Sequence, residues 1–533
     1  PRQGAIVTET AAGNDVGASK ANSETAVATG RAGRRRAHAV WEITLRCNLA
    51  CTHCGSRAGP SRPSELSTDE ALDLVGQLAD IGIDEVTLLG GEAFLRPDWL
   101  TIAAAVVRAG MKCSMTTGGW GITEGMAAGI AEAGIAVVGV SVDGLESTHD
   151  ALRGRAGSWR RCFQTMDRLA RAGVRVGCNT QINRLSAPEL PRLYECLRDA
   201  GIIAWQVQLT GPMGHAADRP EILVQPPELL DLFPLLARIA RRCRRDGISL
   251  QPGQNVGYYG PYERLLRSGG HPWGFWTGPV EGIAVIGIES DGSVKGDPTL
   301  PSADYVGGNV RDRRLREIVE ESDRLRFNLG AGTAEGTAHL WGFCESCQHA
   351  ELCRGGDAFT AHVFFGRRGN HPYCHHRALV HQEQGVRERL VLEVAASGLP
   401  YDHGRFAVVE EPADAPWPVD DSWRFTAEKV VWPRSWATAD PDDDDEAPDP
   451  ADDRRVALAL VGPPTSGSVL PRWAWSDELA QLRAVLAAKD ALDEAEVRFG
   501  VSSGDAREGS RTGGDAAAAS AVEDQASQVS TTP

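Results

Sequence analysis

The sequence predicts an α/β protein built on a parallel sheet, followed by a small cysteine-rich α+β region and a disordered acidic tail. Three observations support this prediction. Six strand-like segments alternate with amphipathic helices from Val40 onward, a pattern that is typical of parallel βα units. The cysteines concentrate in two separate sets, and the composition shifts toward Pro, Asp and Glu after about residue 395.

The composition excludes several classes of partner. The 533 residues carry a formal net charge of -17 at pH 7, which disfavours nucleic acid as a partner. No apolar run is long enough to span a bilayer, and the start lacks the apolar core of a signal peptide, so we expect no membrane partner and a cytoplasmic protein. In that compartment, 12 cysteines indicate metal or redox chemistry rather than a disulfide framework.

The βα repeats have recognisable limits. The six strands are predicted near residues 40–46, 85–90, 111–117, 136–142, 175–181 and 204–210. The helices are predicted near residues 67–81, 97–109, 122–133, 158–172, 188–200 and 226–245. The first helix opens with the capping-box pattern Ser67-Thr-Asp-Glu70, which satisfies two free backbone donors. Most of the helices close on an Ala-Gly pair, which favours helix termination.

Three cysteines follow the first strand at CxxxCxxC spacing. Cys47, Cys51 and Cys54 lie on one short loop, and three thiolates can hold three corners of a [4Fe-4S] cluster while one iron stays open for another ligand. His53 lies between two of these cysteines. A local zinc site of three cysteines and one histidine is therefore the alternative.

The loop and the motifs after it resemble the radical S-adenosylmethionine (radical SAM) superfamily. Gly90-Gly91-Glu92 follows the second strand, and Ser141-Val-Asp143-Gly144 follows the fourth. The resemblance implies that SAM chelates the open iron. It implies that the Gly90-Gly91-Glu92 motif receives the SAM amino group and that the Ser141-Val-Asp143-Gly144 motif contacts the ribose. It also places His53 near the adenine. It also implies an open (βα)6 partial TIM barrel, whose ligands lie at the carboxyl ends of the strands.

Two further segments belong to the same rim, which is the edge of the predicted barrel formed by the carboxyl ends of the strands. His149-Asp-Ala-Leu-Arg153-Gly154 resembles a stretch of peptide-modifying members in which the arginine reaches SAM, and a solvated helix-capping arginine is the alternative. Thr116 and Asn179 lie toward the ends of the third and fifth strands, where ordinary turn chemistry is the alternative to ligand binding. The predicted cofactor-binding residues are His53, Gly90, Gly91, Glu92, Ser141, Asp143, Arg153 and Asn179.

A second cysteine set follows the barrel. Cys344, Cys347, Cys353 and Cys374 supply four more soft ligands. They resemble the SPASM extension of radical SAM enzymes, and the resemblance assigns them to a distal auxiliary [4Fe-4S] cluster. An all-cysteine zinc site is the alternative.

The chain departs from the SPASM pattern where a second auxiliary cluster would be held. Asp297 and Asp357 stand at two positions that are cysteine in the pattern, and no cysteine lies between Cys243 and Cys344. With three of that cluster's four thiolates missing, we expect two [4Fe-4S] clusters, one binding SAM and one auxiliary. Oxygen ligation of a further cluster by Asp297 or Asp357 is the alternative. His215 and these two aspartates are loose candidates on the substrate side, and no residue is assigned a catalytic role.

The resemblance also implies a function. Such an enzyme cleaves SAM reductively at the first cluster and uses the 5'-deoxyadenosyl radical on its substrate. We predict a ribosomally made precursor peptide that is crosslinked, epimerised or otherwise oxidised. The alternatives are an enzyme of a cofactor pathway, such as haem side-chain modification, and a non-catalytic metal-binding scaffold. The expected partners are the precursor peptide, an electron donor such as flavodoxin or ferredoxin, and a separate leader-binding protein.

These segments suggest five regions. The prediction is a disordered basic N-terminus at 1–37, the radical SAM barrel at 38–225, a helical bridge at 226–280, the SPASM-like domain at 281–395 and an acidic, largely disordered extension at 396–533. A β-hairpin is expected around Asp291-Gly292. A short helix is expected at 481–496 within the extension.

Overall fold

A ten-stranded sheet organises the protein. The computed structural model describes residues 38–267, 276, 278–279, 281–282, 284–328, 336–418 and 422–436. The strands of the sheet are β1 (His38–Thr44), β2 (Glu85–Gly90), β3 (Lys112–Thr117), β4 (Val137–Ser141), β5 (Arg175–Ile182), β6 (Ala204–Leu209), β7 (Ser249–Pro252), β8 (Val285–Ile288), β9 (Ser293–Lys295) and β10 (Gly308–Asn309). Their spatial order is β10-β9-β8-β1-β2-β3-β4-β5-β6-β7.

The predicted parallel α/β sheet is confirmed, and it is wider than the sequence suggested. Strands β1 to β6 pair in parallel with their successors. Strand β7 adds to β6 in parallel, within the segment that was expected to be a helical bridge. It spans four residues and ends at Pro252, so it carries too little alternation to be recognised in the sequence. At the other edge β8 pairs in parallel with β1.

The predicted hairpin around Asp291-Gly292 is confirmed, but it belongs to the barrel sheet. Strands β8 and β9 are antiparallel, and β10 pairs with β9. Because β8 also pairs with β1, the first part of the segment that we assigned to the SPASM-like domain extends the main sheet instead of starting a separate one.

The helices of the repeat lie where the sequence predicts them. The helices, in chain order, are α1 (Thr68–Asp80), α2 (Trp99–Arg108), α3 (Glu124–Glu132), α4 (Glu146–Arg153), α5 (Ser158–Arg171), α6 (Leu190–Asp199), α7 (Leu229–Arg245), α8 (Glu263–Arg267), α9 (Ser302–Tyr305), α10 (Leu315–Glu321), α11 (Asp323–Arg326), α12 (Ala350–Cys353), α13 (Ala358–Phe365) and α14 (His375–Glu383). The capping box of α1 is confirmed, because Ser67 and Glu70 exchange both hydrogen bonds. Helix α4 was missed. No described helix has the length and apolarity needed to cross a membrane.

The two faces of the sheet differ in polarity. On β1, Trp41 and Ile43 are fully buried in the core between the sheet and the helices. The alternate residues Glu42 and Thr44 point to the inner face. Strands β3, β5 and β6 continue this alternation, and their inner positions are partly exposed rather than filled by apolar side chains. The interior of the barrel is therefore an accessible polar surface.

Part of the predicted disordered extension is folded. Strands β11 (Val386–Val394) and β12 (Arg405–Pro412) form a small antiparallel sheet, so the expected boundary at residue 395 falls inside a hairpin. Further on, Phe425 and Trp436 are buried, and Trp436 packs edge-on against Tyr194. The prediction of disorder is wrong for 396–418 and 422–436. Residues 1–37 and 437–533, including the helix expected at 481–496, lie outside the described residues.

Candidate active site

The first three cysteines lie on the loop that leaves β1. Backbone hydrogen bonds close this loop: the Cys47 amide donates to the Gly59 carbonyl over 2.8 Å, and the Thr52 amide donates to the Leu152 carbonyl over 2.8 Å. Burial raises the pKa of the Cys47 thiol to about 12 and that of the Cys51 thiol to about 11. Both thiols need a bound cation to become thiolates at neutral pH.

The glycine pair at the end of β2 packs directly against the cysteine loop. The Gly91 amide donates to the Thr44 carbonyl over 2.9 Å, and the Glu92 amide donates to the Arg46 carbonyl over 2.8 Å. A Cβ atom on Gly91 would lie 2.4 Å from the Arg46 carbonyl oxygen, and one on Gly90 would lie 2.3 Å from the Thr44 carbonyl oxygen. A side chain at either position would displace the loop, so these glycines set its distance from the sheet.

Glu92 is held as a buried carboxylate beside the end of β3. It is 1% exposed, and its side chain accepts hydrogen bonds from the Thr117 hydroxyl over 2.5 Å and from the Gly118 amide over 2.6 Å. Burial raises its pKa to about 7 against the opposing effect of these two donors. A cationic ligand group would stabilise the ionised form, and the contact with the SAM amino group stays a prediction.

Asp143 contacts a guanidinium and an imidazole inside the protein. Its side chain has no exposed surface; one oxygen lies 2.7 Å from an Arg153 guanidinium nitrogen and 3.0 Å from His53 Nε2. The other oxygen accepts the Gln181 amide over 2.9 Å. Burial acts to raise the pKa of Asp143, but Arg153 and His53 outweigh burial and hold the pKa below its usual range. The contact of this segment with the ribose stays a prediction.

Arg153 connects Asp143 to the cysteine loop. Its guanidinium lies 3.9 Å from Cys51 Sγ, and its side chain is only 12% exposed. The alternative of a solvated helix-capping arginine is therefore wrong. A fixed positive charge beside one cysteine favours its thiolate. Arg153 is thus a positioning residue for the cysteine loop, and the predicted contact of Arg153 with SAM is not tested by this geometry.

His53 offers no nitrogen to the three cysteines. Its Nδ1 lies 3.2 Å from the Leu152 carbonyl oxygen, and its Nε2 lies 3.0 Å from an Asp143 oxygen. Both ring nitrogens are directed at protein oxygens, so the local zinc site of three cysteines and His53 is wrong. Placement of His53 near the adenine stays a prediction.

Two residues of the same segment have roles that the sequence did not reveal. His149 is fully buried; its Nδ1 accepts the Asp143 amide over 3.1 Å, and its Nε2 lies 3.2 Å from the Ser158 hydroxyl. The Asp150 carboxylate accepts the Gly157 amide over 2.5 Å. Burial lowers the pKa of His149 to about 3, so it is neutral. The histidine and aspartate of this motif fix the turn that presents Arg153, which their position next to the arginine could have suggested.

Three rim residues come together at the carboxyl ends of β3 to β5. Ser141 stands opposite Asn179 in the parallel register, and the Asn179 amide donates to the Thr116 hydroxyl over 3.4 Å. All three are partly exposed. They form a continuous polar edge, which fits a ligand at this rim, and the assignment of Ser141 and Asn179 to cofactor binding remains a prediction.

His215 supports the cysteine loop. Its amide donates to the Cys54 carbonyl over 2.9 Å, and its Nδ1 donates to the Cys51 carbonyl over 2.9 Å. The expectation that His215 is a substrate-side group is not supported, because both contacts are with the backbone of the loop.

The second cysteine set lines one pocket. Cys344, Cys347, Cys353 and Cys374 share this pocket with Tyr258 and several histidines. Burial raises the pKa of the Cys353 thiol well above its usual value and that of Cys347 to about 11. Four such thiols around one space fit a metal centre that supplies the positive charge. Four thiols lining one pocket are a ligand set for a [4Fe-4S] cluster or for a zinc ion.

The two aspartates that replace cysteines are engaged with protein groups. Asp357 lies 2.6 Å from His371 Nε2 and accepts the Thr360 amide over 2.7 Å. Asp297 accepts the Thr299 amide over 2.9 Å and a Gln254 amide hydrogen bond over 3.2 Å. Both carboxylates are nearly fully buried. Their oxygens are used in hydrogen bonds, which disfavours oxygen ligation of a further cluster.

The domain that carries the cysteine loop is similar to known proteins. Residues 41–183 match the family model described as Radical SAM superfamily. The AdoMet-dependent heme synthase of Methanosarcina barkeri is 28% identical over 358 residues, which cover 63% of this chain and 96% of the relative. The mycofactocin maturase MftC of Mycobacterium ulcerans is 28% identical over 335 residues, which cover 61% of this chain and 84% of the relative.

A solved structure shares the fold. The structure of anSMEcpe with bound AdoMet and Kp18Cys peptide superposes with a TM-score of 0.51 at 15% identity, over 64% of this chain and 94% of that one. Together with the cysteine loop, these matches define the class of protein: the chain carries a radical SAM domain at residues 41–183 and is similar beyond that domain to the maturase MftC. It is an enzyme, and the alternative of a non-catalytic metal-binding scaffold is wrong.

The cofactors are a [4Fe-4S] cluster and SAM, and the residues present fit them. Cys47, Cys51 and Cys54 would hold the cluster, and Gly91 keeps the wall beside the loop free of side chains. When bound, these groups supply the radical that takes a hydrogen atom from the substrate. The chain itself positions the loop through Arg153 and His215 and provides a polar edge at the rim.

Proposed function

We propose that this radical SAM enzyme modifies a ribosomally made peptide by forming a crosslink, an epimerised residue or another oxidised product. The observation that carries the proposal is the chemistry of the barrel interior. The inner positions of β3, β5 and β6 are hydrogen-bonding side chains that are partly exposed, namely Ser114, Thr116, Asn179, Gln181, Gln206 and Gln208.

Such a surface suits a peptide. Amide and hydroxyl side chains can pair with the N–H and C=O groups of an extended backbone. A flat macrocycle would gain more from apolar walls, because burying these amides against carbon would leave them unpaired. The similarity to MftC, which is named a maturase, supports a peptide substrate as well.

A haem-pathway enzyme is the second candidate. It is favoured by the heme synthase of Methanosarcina barkeri, which the chain matches over 96% of that relative's length. The amide-lined interior argues for the peptide, because amides offer no positive charge for the carboxylates of a haem precursor.

We also propose roles for the second cysteine set and for partner proteins. A cluster on Cys344, Cys347, Cys353 and Cys374 would have all its irons capped by protein, so we assign it to electron transfer or structure and not to substrate binding. Reduction of the first cluster needs an external donor such as flavodoxin or ferredoxin. Recognition of the precursor is assigned to a separate leader-binding protein.

Intact mass of the product tests the peptide assignment. Each short peptide encoded beside this protein is co-expressed with it and, as the matched control, with the Cys47/Cys51/Cys54→Ala variant. We expect one peptide to lose two hydrogens, or to take up deuterium at an epimerised carbon from heavy water, only with the intact cysteines. Unchanged masses and no deuterium uptake in every candidate would contradict the proposal. Conversion of an iron porphyrin by the same preparation would then favour the haem pathway.

A further inference from the structure

Three side chains outside both cysteine sets lie close enough together to bind one metal ion. Asp304 on α9, His362 on α13 and His403 just before β12 each offer one ligand atom, and these atoms all lie within 4.8 Å of one another. His362 Nε2 is 3.2 Å from an Asp304 carboxylate oxygen. The segments that carry the three residues are far apart in sequence, so the fold and not a local motif brings them together.

Neighbouring groups orient the two imidazoles. The Tyr305 hydroxyl lies 3.0 Å from His362 Nδ1, and His403 Nδ1 donates to the Gly404 carbonyl over 2.8 Å. Each hydrogen bond uses Nδ1, which leaves Nε2 as the ligand atom of both rings. Histidines that bind metals are held in this way, because a partner on one ring nitrogen fixes the tautomer and the direction of the other.

The site is buried on one side and open to solvent on the other. The His362 side chain is 8% exposed, whereas the Asp304 side chain is 49% exposed. The exposed carboxylate leaves a solvent path to the site.

The site is attached to the cysteine loop. His403 forms an isolated antiparallel bridge with Met213, and the Gly214 amide donates to the Asp402 carbonyl over 2.8 Å. Arg57, just after the third cysteine of the loop, donates to the Asp402 carboxylate over 2.8 Å. A metal bound through His403 would therefore tie the start of β12 to the elements that support the loop.

We propose that Asp304, His362 and His403 bind a divalent first-row transition metal such as zinc or iron(II). Two histidines and one carboxylate are a ligand set for these ions that leaves coordination positions open. Water or an oxygen of the substrate would complete the coordination. The site is separate from both cysteine sets and adds a third metal centre to the protein.

Zinc binding to the full-length, cluster-loaded enzyme tests this site. Equilibrium dialysis against zinc, followed by metal analysis, is expected to show one zinc per chain in the micromolar range in addition to the cluster iron. Asp304→Asn/His403→Gln is expected to bind this zinc at least about tenfold more weakly, because two of three ligands are lost. The single variant Asp304→Asn, at a half-exposed position, is expected to weaken binding without a change in iron content. Asp312→Asn, at an exposed carboxylate nearby on the chain, is the matched control and should bind zinc as the wild type does.

Two results would overturn the proposal. One is wild-type protein that takes up no zinc beyond its cysteine sites. The other is an Asp304→Asn protein whose zinc affinity and iron content both equal those of the wild type. A loss of iron in the double variant would point to misfolding, and the single variant then decides the question.

Discussion

Replacing Cys47, Cys51 and Cys54 together by alanine is expected to abolish SAM cleavage. These thiols are the proposed ligands of the cluster that reduces SAM, and the loop offers no substitute, since both nitrogens of His53 are directed at other groups. The production of 5'-deoxyadenosine under reducing, anaerobic conditions measures the effect and should fall below detection. Iron content should fall by about four atoms per chain, which is one cubane.

A single cysteine outside both sets provides the control. Cys196 on α6 is half-buried, and its replacement by alanine is expected to leave both iron content and 5'-deoxyadenosine production near the wild-type values. Residual SAM cleavage in the triple variant would show that the active cluster lies elsewhere, and the assignment of the first loop would be wrong.

Gly91→Ala is expected to reduce SAM cleavage roughly 100-fold, because a displacement of about 1 Å at a reacting centre costs that much. The new Cβ atom would lie 2.4 Å from the Arg46 carbonyl oxygen and 2.7 Å from Cys47 Cβ. These contacts are shorter than van der Waals distances, so the cysteine loop must move. We expect a partial loss of the first cluster, seen as less iron per chain, and slower 5'-deoxyadenosine production.

Gly59→Ala is the matched control on the same loop. Gly59 also contributes a carbonyl to the loop closure, but a Cβ atom there would meet nothing within 4 Å. It should retain both cluster and activity. Equal activity in the two alanine variants would contradict the role of Gly91 as the spacer between β2 and the loop.

The order of the motifs along the chain was sufficient to predict the barrel. Each glycine, acidic or hydroxyl motif follows a strand-like segment, and parallel strands bring their carboxyl ends to one rim. Ser141 and Asn179 therefore met across the sheet as expected. The capping box at Ser67 could also be predicted from the sequence, because its two hydrogen bonds join residues that are three positions apart.

Contacts between residues that are far apart in the chain could not be predicted from the sequence in the same way. The sequence did not show that the Asp143 carboxylate would contact Arg153 and also His53, which lies far from it in the chain. The attachment of β8 to β1 depends on edge pairing between segments that are more than two hundred residues apart. Trp436 stands in a stretch of Pro, Trp and acidic residues that looks unstructured, yet it is buried against Tyr194. In each case the deciding contact is tertiary.

Iron and sulfide analysis of the anaerobically reconstituted wild-type enzyme tests the assignment of the two cysteine sets. We assign one SAM-binding cluster to Cys47, Cys51 and Cys54 and one auxiliary cluster to Cys344, Cys347, Cys353 and Cys374. This assignment predicts about eight irons and about eight sulfides per chain, from two cubanes. About twelve irons would contradict it, because Asp297 and Asp357 would then have to serve a third cluster. About four irons with one zinc retained by the second cysteine set would contradict it as well.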